Sequence, residues 1–361
     1  MSKQCRSMTE QMNLPRGVRF LVIAATLVVI IAGIHQARSV LAAFLVAVFL
    51  AMLGTPPVLW LERKRIPTLI SVLLVVAAMV TILLGLGAIV GASINSFYAE
   101  LPAYQARMKE QVSSLVAFLA TKGLRRMDTV LLEYVNPGAV MSMTSRLLAG
   151  LGSALSNILL ILLTTAFILL EASSFPAKLR AVLGHPRQAF PQVTAFVADM
   201  ERYMIIKTLI SLATGILIGT WLNVLGVDFP VLWGFLAFLL NYVPSVGSTI
   251  AAVPAVLLAF VQLGTMRALL ATAGYMAVNF LLDNVIEMKL MGRRLHLSTL
   301  VVFLSLMFWG SLLGLVGMIL CIPLTMTLKF ACESDPRTEW IAVLLGPEVP
   351  APATLVAVAK V

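Results

Sequence analysis

Charged residues are scarce in this chain. Asp, Glu, Lys and Arg make up only 12% of its 361 residues, whereas an average soluble domain contains about 25%. Hydrophobic residues make up 60%, the mean hydropathy is +0.99, and the stretches 229–266 and 297–328 contain no charged residue. A soluble core of this size could not bury so much uncharged sequence. The composition therefore excludes a soluble globular protein and indicates a protein that spans a membrane.

The chain also lacks the residue patterns of catalytic and metal sites. Its three cysteines, Cys5, Cys321 and Cys332, show no paired spacing, so nothing suggests a disulfide or a metal site. It has no HExxH motif, phosphate-binding loop or supported nucleophile–base pair. We therefore expect no enzyme activity, metal or cofactor. The net charge of +10 is explained by basic cytoplasmic loops, so we expect no nucleic-acid partner.

Eight hydrophobic segments predict an all-α polytopic membrane protein. Six have ordinary lengths and lie at about residues 18–34, 39–55, 68–96, 148–171, 204–225 and 266–286. The basic clusters near residues 3–19, 63–65 and 178–202 fall on one side if the first four segments each cross once. By the positive-inside rule that side is the cytoplasm, and both termini are expected there. Pro56 and Pro57 predict the end of the second helix, because proline removes a helical hydrogen bond.

The two uncharged stretches are too long for one upright crossing of the membrane and somewhat short for two. As helices they would be about 57 Å and 48 Å long, against a hydrocarbon core about 30 Å thick. Both are interrupted, at residues 241–247 and 310–317, and a weak sequence repeat follows each interruption. We predict that they are broken or re-entrant helical hairpins in a weak inverted repeat; the alternative is one tilted crossing each. The predicted hinge residues are Pro254, Gly310, Gly314, Gly317 and Pro323.

These segments divide the chain into four regions. Residues 1–96 form N-terminal membrane helices with three segments, and residues 97–147 form an extramembrane helical region. Residues 148–330 form a membrane transport core, and residues 331–361 form a cytoplasmic tail. In the second region, apolar residues such as Tyr104 recur at steps of three and four, which predicts an amphipathic helix. Its apolar face is expected to pack on its own chain or on a neighbouring subunit.

Polar residues near the first break predict a site for a polar solute. Unwound backbone beside Asn241 would offer hydrogen-bonding groups. Asn279, Asp283 and Glu287 share one helix face at the membrane edge, where ionisable groups usually face protein or water. The alternative is an interfacial helix end paired with Lys289 or Arg293, and Lys207 is expected to extend to the cytoplasmic surface. The predicted binding or coupling residues are Asn241, Tyr242, Pro244, Ser245, Gly247, Asn279, Asp283, Asn284 and Glu287.

Three motifs resemble those of the autoinducer-2 exporter family of bacterial membrane proteins. They are Asn241-Tyr-Val-Pro-Ser-Val-Gly247 continuing to Pro254, Asp283-Asn284-Val-Ile, and the glycine-rich stretch from Gly310 to Pro323. The resemblance covers about residues 15–345; Met288 is a departure, since the family commonly has proline there. It implies an inner-membrane exporter of autoinducer-2, a small, highly hydroxylated solute. It also implies a homo-oligomer, with a pentamer expected.

Three functions remain open from the sequence. The leading one is a secondary transporter that exports a small polar solute across the bilayer by alternating access. The second is a sodium (or lithium)/proton antiporter, in which Asp283 would alternate between proton and cation. The third is a membrane scaffold that binds a partner through region 97–147.

Overall fold

The described part of the protein is entirely helical. The computed structural model describes residues 16–121, 144–145, 148–149, 158–172, 189–244, 246–291, 297–333 and 338–346, and these contain no strand. The first five helices are α1 (Arg16–Gln36), α2 (Arg38–Arg63), α3 (Thr68–Thr121), α4 (Ile158–Ala172) and α5 (Ala189–Leu225). They are followed by α6 (Pro230–Leu240), α7 (Gly247–Leu263), α8 (Thr265–Asn279), a π-helical segment (Phe280–Glu287) and α9 (Met288–Met291). The last four are α10 (Thr299–Leu313), α11 (Leu315–Ile319), α12 (Cys321–Glu333) and α13 (Glu339–Leu345).

Four stretches of described helix are long and apolar enough to cross a membrane. They are Arg38–Arg63, Thr68–Met108, Val193–Leu225 and Thr265–Glu287. Four shorter apolar helices accompany them: α4, α6, α7 and α10. Together these helices confirm the all-α, multi-pass class. The count of eight segments stays a prediction.

Helix α2 does not end at its prolines, so that prediction was wrong. The helix continues through Pro56 and Pro57 as far as Arg63. The Thr55 hydroxyl donates a hydrogen bond to the Ala51 carbonyl, with an oxygen–oxygen distance of 2.9 Å. Side-chain bonds of this type and packing by neighbouring helices allow proline inside membrane helices.

Helix α3 runs without interruption through the predicted boundary between residues 96 and 97. Phe97, Tyr104 and Met108 are each at most 2% exposed and belong to the main core of the protein. In the described residues, the apolar face of this region thus packs on its own chain. Beyond Thr121, where α3 ends, only residues 144–145 of the predicted region 97–147 are described.

The first long uncharged stretch is a pair of antiparallel helices, α6 and α7. Phe229 has a positive φ of 57° immediately before Pro230, the first residue of α6. Proline suits that position because its fixed φ is helical and it needs no amide donor there. At the other end of the pair, the Gly247 amide donates to the Val243 carbonyl at 3.3 Å, which closes the connection.

Glycines bring helix α6 very close to helix α5. A Cβ on Gly215 would lie 2.7 Å from the Gly234 carbonyl oxygen, and a Cβ on Gly234 would lie 2.6 Å from that of Gly215. Small residues at a crossing allow two backbones to touch, which is how helices in membranes commonly associate. The crossing holds the α6–α7 pair against α5, and Trp233 beside it is fully buried.

The second long stretch also turns back on itself. Gly314, with φ 66°, ends α10, and the short α11 leads into α12. The Trp309 indole donates to the Thr325 hydroxyl at 3.1 Å, so α12 returns along α10. A Cβ on Gly317 would overlap the Trp309 carbonyl, just as a Cβ on Gly247 would overlap the Leu240 carbonyl. The two breaks thus share a local packing arrangement.

Candidate functional site

One turn of α5 carries three polar residues, Lys207, Thr208 and Ser211, in an otherwise apolar stretch. Lys207 and Ser211 are buried, at 6% and 0% exposure. Each of the three side chains bonds to a residue that the sequence predicted as part of the site. This turn therefore connects the first break with the π-helical segment.

Lys207 forms a bidentate ion pair with Glu287 at the end of the π-helical segment. Its Nζ lies 2.8 Å and 3.0 Å from the two carboxylate oxygens. The two side chains are 8% and 18% exposed. The expectation that Lys207 extends to the surface was wrong. A buried ammonium group needs a counterion, and Glu287 supplies one within the protein.

The same ion pair bears on the two interpretations of Glu287. The interfacial alternative paired the acidic face with Lys289 or Arg293. Lys289 is exposed, Arg293 lies outside the described residues, and the bond of Glu287 is to Lys207. Glu287 thus faces the helix bundle.

The first break contacts α5 through two side-chain hydrogen bonds. Asn241 is 3% exposed, and its Nδ2 donates to the Ser211 Oγ at 3.1 Å. The Tyr242 hydroxyl donates to the Thr208 Oγ1 at 2.7 Å. The Tyr242 ring also meets Phe49 of α2 edge-on, at 5.6 Å between centroids. Both predicted residues therefore point into the bundle.

The other predicted residues of the first break shape its backbone. The Pro244 carbonyl accepts a hydrogen bond from the Val246 amide at 2.7 Å. Gly247 is buried, and the overlap described above excludes any side chain there. Ser245 lies outside the described residues. Local backbone hydrogen bonds thus connect the described residues of the break.

The end of α8 and the π-helical segment that follows it each present one acceptor that has no partner among the described residues. They are the Oδ1 atoms of Asn279 and Asp283, both of them buried. Asp283 interacts electrostatically with Lys207 and with Glu287, so it belongs to the same site. Asn284, the next residue, is exposed. π-helical turns are rare and are often found at functional sites.

The predicted hinge residues are not part of this polar site in the described structure. Pro254, Gly310, Gly317 and Pro323 are buried, and Gly314 is exposed. Within the described residues, no side-chain hydrogen bond connects the second break to Asn241 or Asp283. The geometry thus assigns the polar chemistry to the first break, α5 and the π-helical segment.

The site contains one cation and two carboxylates in an apolar surrounding. Lys207 neutralises Glu287, and Asp283 adds a second acidic group beside them. No cluster of three or more His, Cys, Asp or Glu that could hold a metal ion occurs in the part of the chain that the structure describes. The arrangement can accept hydrogen bonds from a hydroxylated molecule or bind a cation or proton.

Sequence reasoning missed the contribution of α5. Lys207 was assigned to the surface, and neither Thr208 nor Ser211 was included in the site. A signal was present, because polar residues at i, i+1 and i+4 occupy one side of a helix that is otherwise apolar. Polar residues inside a membrane segment usually face the bundle.

Comparisons with known proteins agree on one family. A family model described as "AI-2E family transporter" matches residues 24–335. The AI-2 transport protein TqsA of Escherichia coli (strain K12) is 37% identical over 330 residues, which cover 91% of this chain and 96% of TqsA. YhhT of the same strain, whose name assigns transport only provisionally, is 35% identical over 92% of this chain and 96% of its own length. A Haemophilus influenzae protein with a similarly provisional name is 34% identical over 89% of this chain.

Proposed function

The chain belongs to the AI-2E transporter family, and on this basis we propose that it exports a small, hydroxylated solute across the bacterial inner membrane. The name of TqsA supports autoinducer-2 or a related molecule as that solute. The names of the matched relatives indicate transport and lend no support to the antiporter or scaffold alternatives. We keep the pentameric assembly implied by the resemblance as a prediction, which native mass spectrometry of the purified protein would check.

One observation carries the choice of a hydroxylated solute: Asn279 Oδ1 and Asp283 Oδ1 are buried and have no hydrogen-bond partner among the described residues. A buried polar atom without a hydrogen bond costs about 1–3 kcal/mol. Hydroxyl groups of a solute would donate to both oxygens and remove that cost. A polar solute in turn needs such partners when it loses its water.

We propose that Asp283 is the central group of this site. The ion pair with Lys207 already occupies Glu287, whereas Asp283 has an oxygen that no described residue bonds. In our proposal Asp283 accepts a solute hydroxyl, or it takes up a proton that couples transport to the proton gradient. Asn241 and Tyr242 would move with the α6–α7 pair, and their bonds to α5 would form and break as it moves.

The two broken stretches would supply the alternating access. We propose that α6–α7 and α10–α12 re-enter from opposite faces, as in the inverted repeats of other transporters. The matched positions of Gly247 and Gly317 support this, since each sits tightly against the preceding helix. The basic residues near positions 289–294 would then lie in the cytoplasm, as the positive-inside rule prefers.

The test is solute release from proteoliposomes loaded with autoinducer-2, with and without an imposed proton gradient. Wild-type protein should release solute faster than empty vesicles do. Asp283→Asn should abolish release, and the control change Leu281→Met at an exposed position of the same π-helical segment should preserve it. Equal release from Asp283→Asn and wild type would reject the assignment of Asp283. Release no faster than from empty vesicles would reject autoinducer-2 as the solute.

A further inference from the structure

A second polar cluster lies beyond the C-terminal end of α5, whereas Lys207 lies at the middle of that helix. This cluster consists of Glu100, Tyr104, Asp228 and Gln262, and we call it the far cluster. From Lys207 to Leu225 the helix rises about 27 Å, which is close to the ~30 Å thickness of a hydrocarbon core. Asp228 follows Leu225 closely in the chain. The two polar clusters thus lie near opposite ends of one apolar bundle.

The far cluster ties α3 to both outer ends of the α6–α7 pair. Asp228 precedes α6, and Gln262 lies in the last turn of α7. The Asp228 amide donates to the Gln262 Oε1 at 3.1 Å, and the Gln262 Nε2 donates to the Asp228 carboxylate. From α3, the Tyr104 hydroxyl lies 3.0 Å from the Asp228 Oδ2 and accepts from the Gln262 Nε2 at 3.2 Å.

Aromatic rings pack against one another beside these hydrogen bonds. Tyr104 is 2% exposed, and its ring packs on Phe97. Phe97 meets Phe229 and Trp233 edge-on, at 6.2 Å and 5.8 Å between centroids. The Trp233 indole donates to the Asp228 carbonyl at 2.9 Å. In this structure α3 is therefore in direct contact with the outer end of the α6–α7 pair.

Tyr104 has one hydroxyl hydrogen and two acceptors for it. One acceptor is Asp228, and the other is the Glu100 carboxylate, one turn earlier on the same helix. Because Glu100 moves with Tyr104, it can take the hydrogen bond when Asp228 departs. The hydroxyl then keeps a partner after the α6–α7 pair separates from α3, which lowers the cost of separation.

We propose that the far cluster is a gate, that Tyr104 is its positioning residue, and that Glu100 is the alternative acceptor that allows it to open. In the closed state the Tyr104 hydroxyl lies within hydrogen-bond distance of both the Glu100 and the Asp228 carboxylates. In the open state it donates to Glu100, and the outer ends of α6 and α7 move away from α3. A purely structural hydrogen-bond network predicts that loss of any member loosens the fold. A gate predicts instead that the changes act in opposite directions.

Two engineered thiols report on the two ends of the bundle. Val227→Cys lies beside Asp228, and Val243→Cys lies at the break near Asn241; the native valines are 3% and 4% exposed. Each is placed in a background with Cys5→Ser, Cys321→Ala and Cys332→Ser. The rate of labelling by a soluble maleimide is measured on the full-length protein in detergent, where both ends are accessible. The labelling experiment requires no solute. It can therefore refute the gate even if the protein is shown to transport autoinducer-2, and it can support the gate even if autoinducer-2 is not the solute.

Tyr104→Phe removes the hydrogen bond to Asp228, and we expect labelling at Val227→Cys to rise about fivefold, the factor for one ordinary hydrogen bond. Labelling at Val243→Cys should stay the same or fall. Glu100→Ala, at an exposed position, should lower labelling at Val227→Cys, because Tyr104 then has only Asp228 as a carboxylate acceptor. Hydrogen–deuterium exchange of residues 225–229 without engineered thiols should change in the same directions.

Three results would overturn the gate. The first is a Val227→Cys rate that Tyr104→Phe changes by less than twofold. The second is an equal rise at both thiols, which would mean general loosening of the fold. The third is a higher labelling rate at Val227→Cys in the Glu100→Ala variant, because a purely structural hydrogen-bond network predicts that increase. Gel filtration of every variant confirms that the labelled protein is folded.

Discussion

The ion pair between Lys207 and Glu287 gives the most demanding test of the site. We consider Lys207→Met, Glu287→Met and the double variant, because methionine approximates the length of both side chains without a charge. The paired side chains are only 8% and 18% exposed, so solvent screens them weakly. Removal of one partner from a buried pair costs about 3–5 kcal/mol, whereas replacement of both by apolar residues is often neutral.

The third ionisable group makes the two single variants unequal. Asp283 interacts electrostatically with both members of the pair. In Glu287→Met, Asp283 can serve as the counterion of Lys207, so we expect a loss near or below the lower limit of about 3 kcal/mol. In Lys207→Met two carboxylates remain with no cation from α5, so the loss should approach about 5 kcal/mol. The double variant removes one charge of each sign and should lie near wild type.

The measurement is the free energy of unfolding in mixed detergent, followed by the fluorescence of the five tryptophans. A double-mutant cycle then gives a coupling of about 3 kcal/mol or more between the two positions. Additive single effects would refute the buried pair. A larger loss for Glu287→Met than for Lys207→Met would refute the proposed role of Asp283 as a substitute counterion.

Three further predictions concern the packing around the site. Gly247→Ala and Gly317→Ala should each lower thermal stability, since a Cβ would overlap a backbone carbonyl that cannot move aside, whereas Gly85→Ala, with open space around it, should not. Gly274→Ala should destabilise the protein through a clash with Trp221, and Trp221→Phe should partly restore the melting temperature. Tyr242→Phe should cost only about 1 kcal/mol in unfolding free energy, because Thr208 also donates to the Met204 carbonyl at 2.7 Å.

Several features of the fold could be predicted from the sequence because they depend on local chemistry. The break at residues 241–247 contains Pro244 and Gly247, and Gly247 packs against the Leu240 carbonyl, where a side chain would overlap. Both residues are visible signals in the sequence. Asn241 and Asp283 were predicted as site residues because polar groups are costly in an apolar segment. Structure places both near one turn of α5, a long-range contact that no local pattern specifies.

The errors have a common physical cause. Pro56 and Pro57 predicted a helix end, and Lys207 predicted a surface position, because each was judged by its own segment alone. In a bundle, neighbouring helices compensate for a missing backbone bond, and a carboxylate 80 positions later in the chain compensates for a buried ammonium. The rules for isolated helices therefore failed at the positions where tertiary partners act.

The glycine crossing of α5 and α6 lies between the two polar clusters. Gly215 lies about 12 Å along α5 from Lys207 and about 15 Å from Leu225, so its contact with Gly234 is near the middle of the part of α5 that separates the two clusters. Hydrogen bonds hold the α6–α7 pair at its ends, through Asn241 and Tyr242 on one side and Asp228 on the other. Such bonds contribute about 1 kcal/mol each and can be exchanged for others. A backbone contact has no side chain to rearrange, so in our proposal the crossing would be the point about which the two ends open in turn.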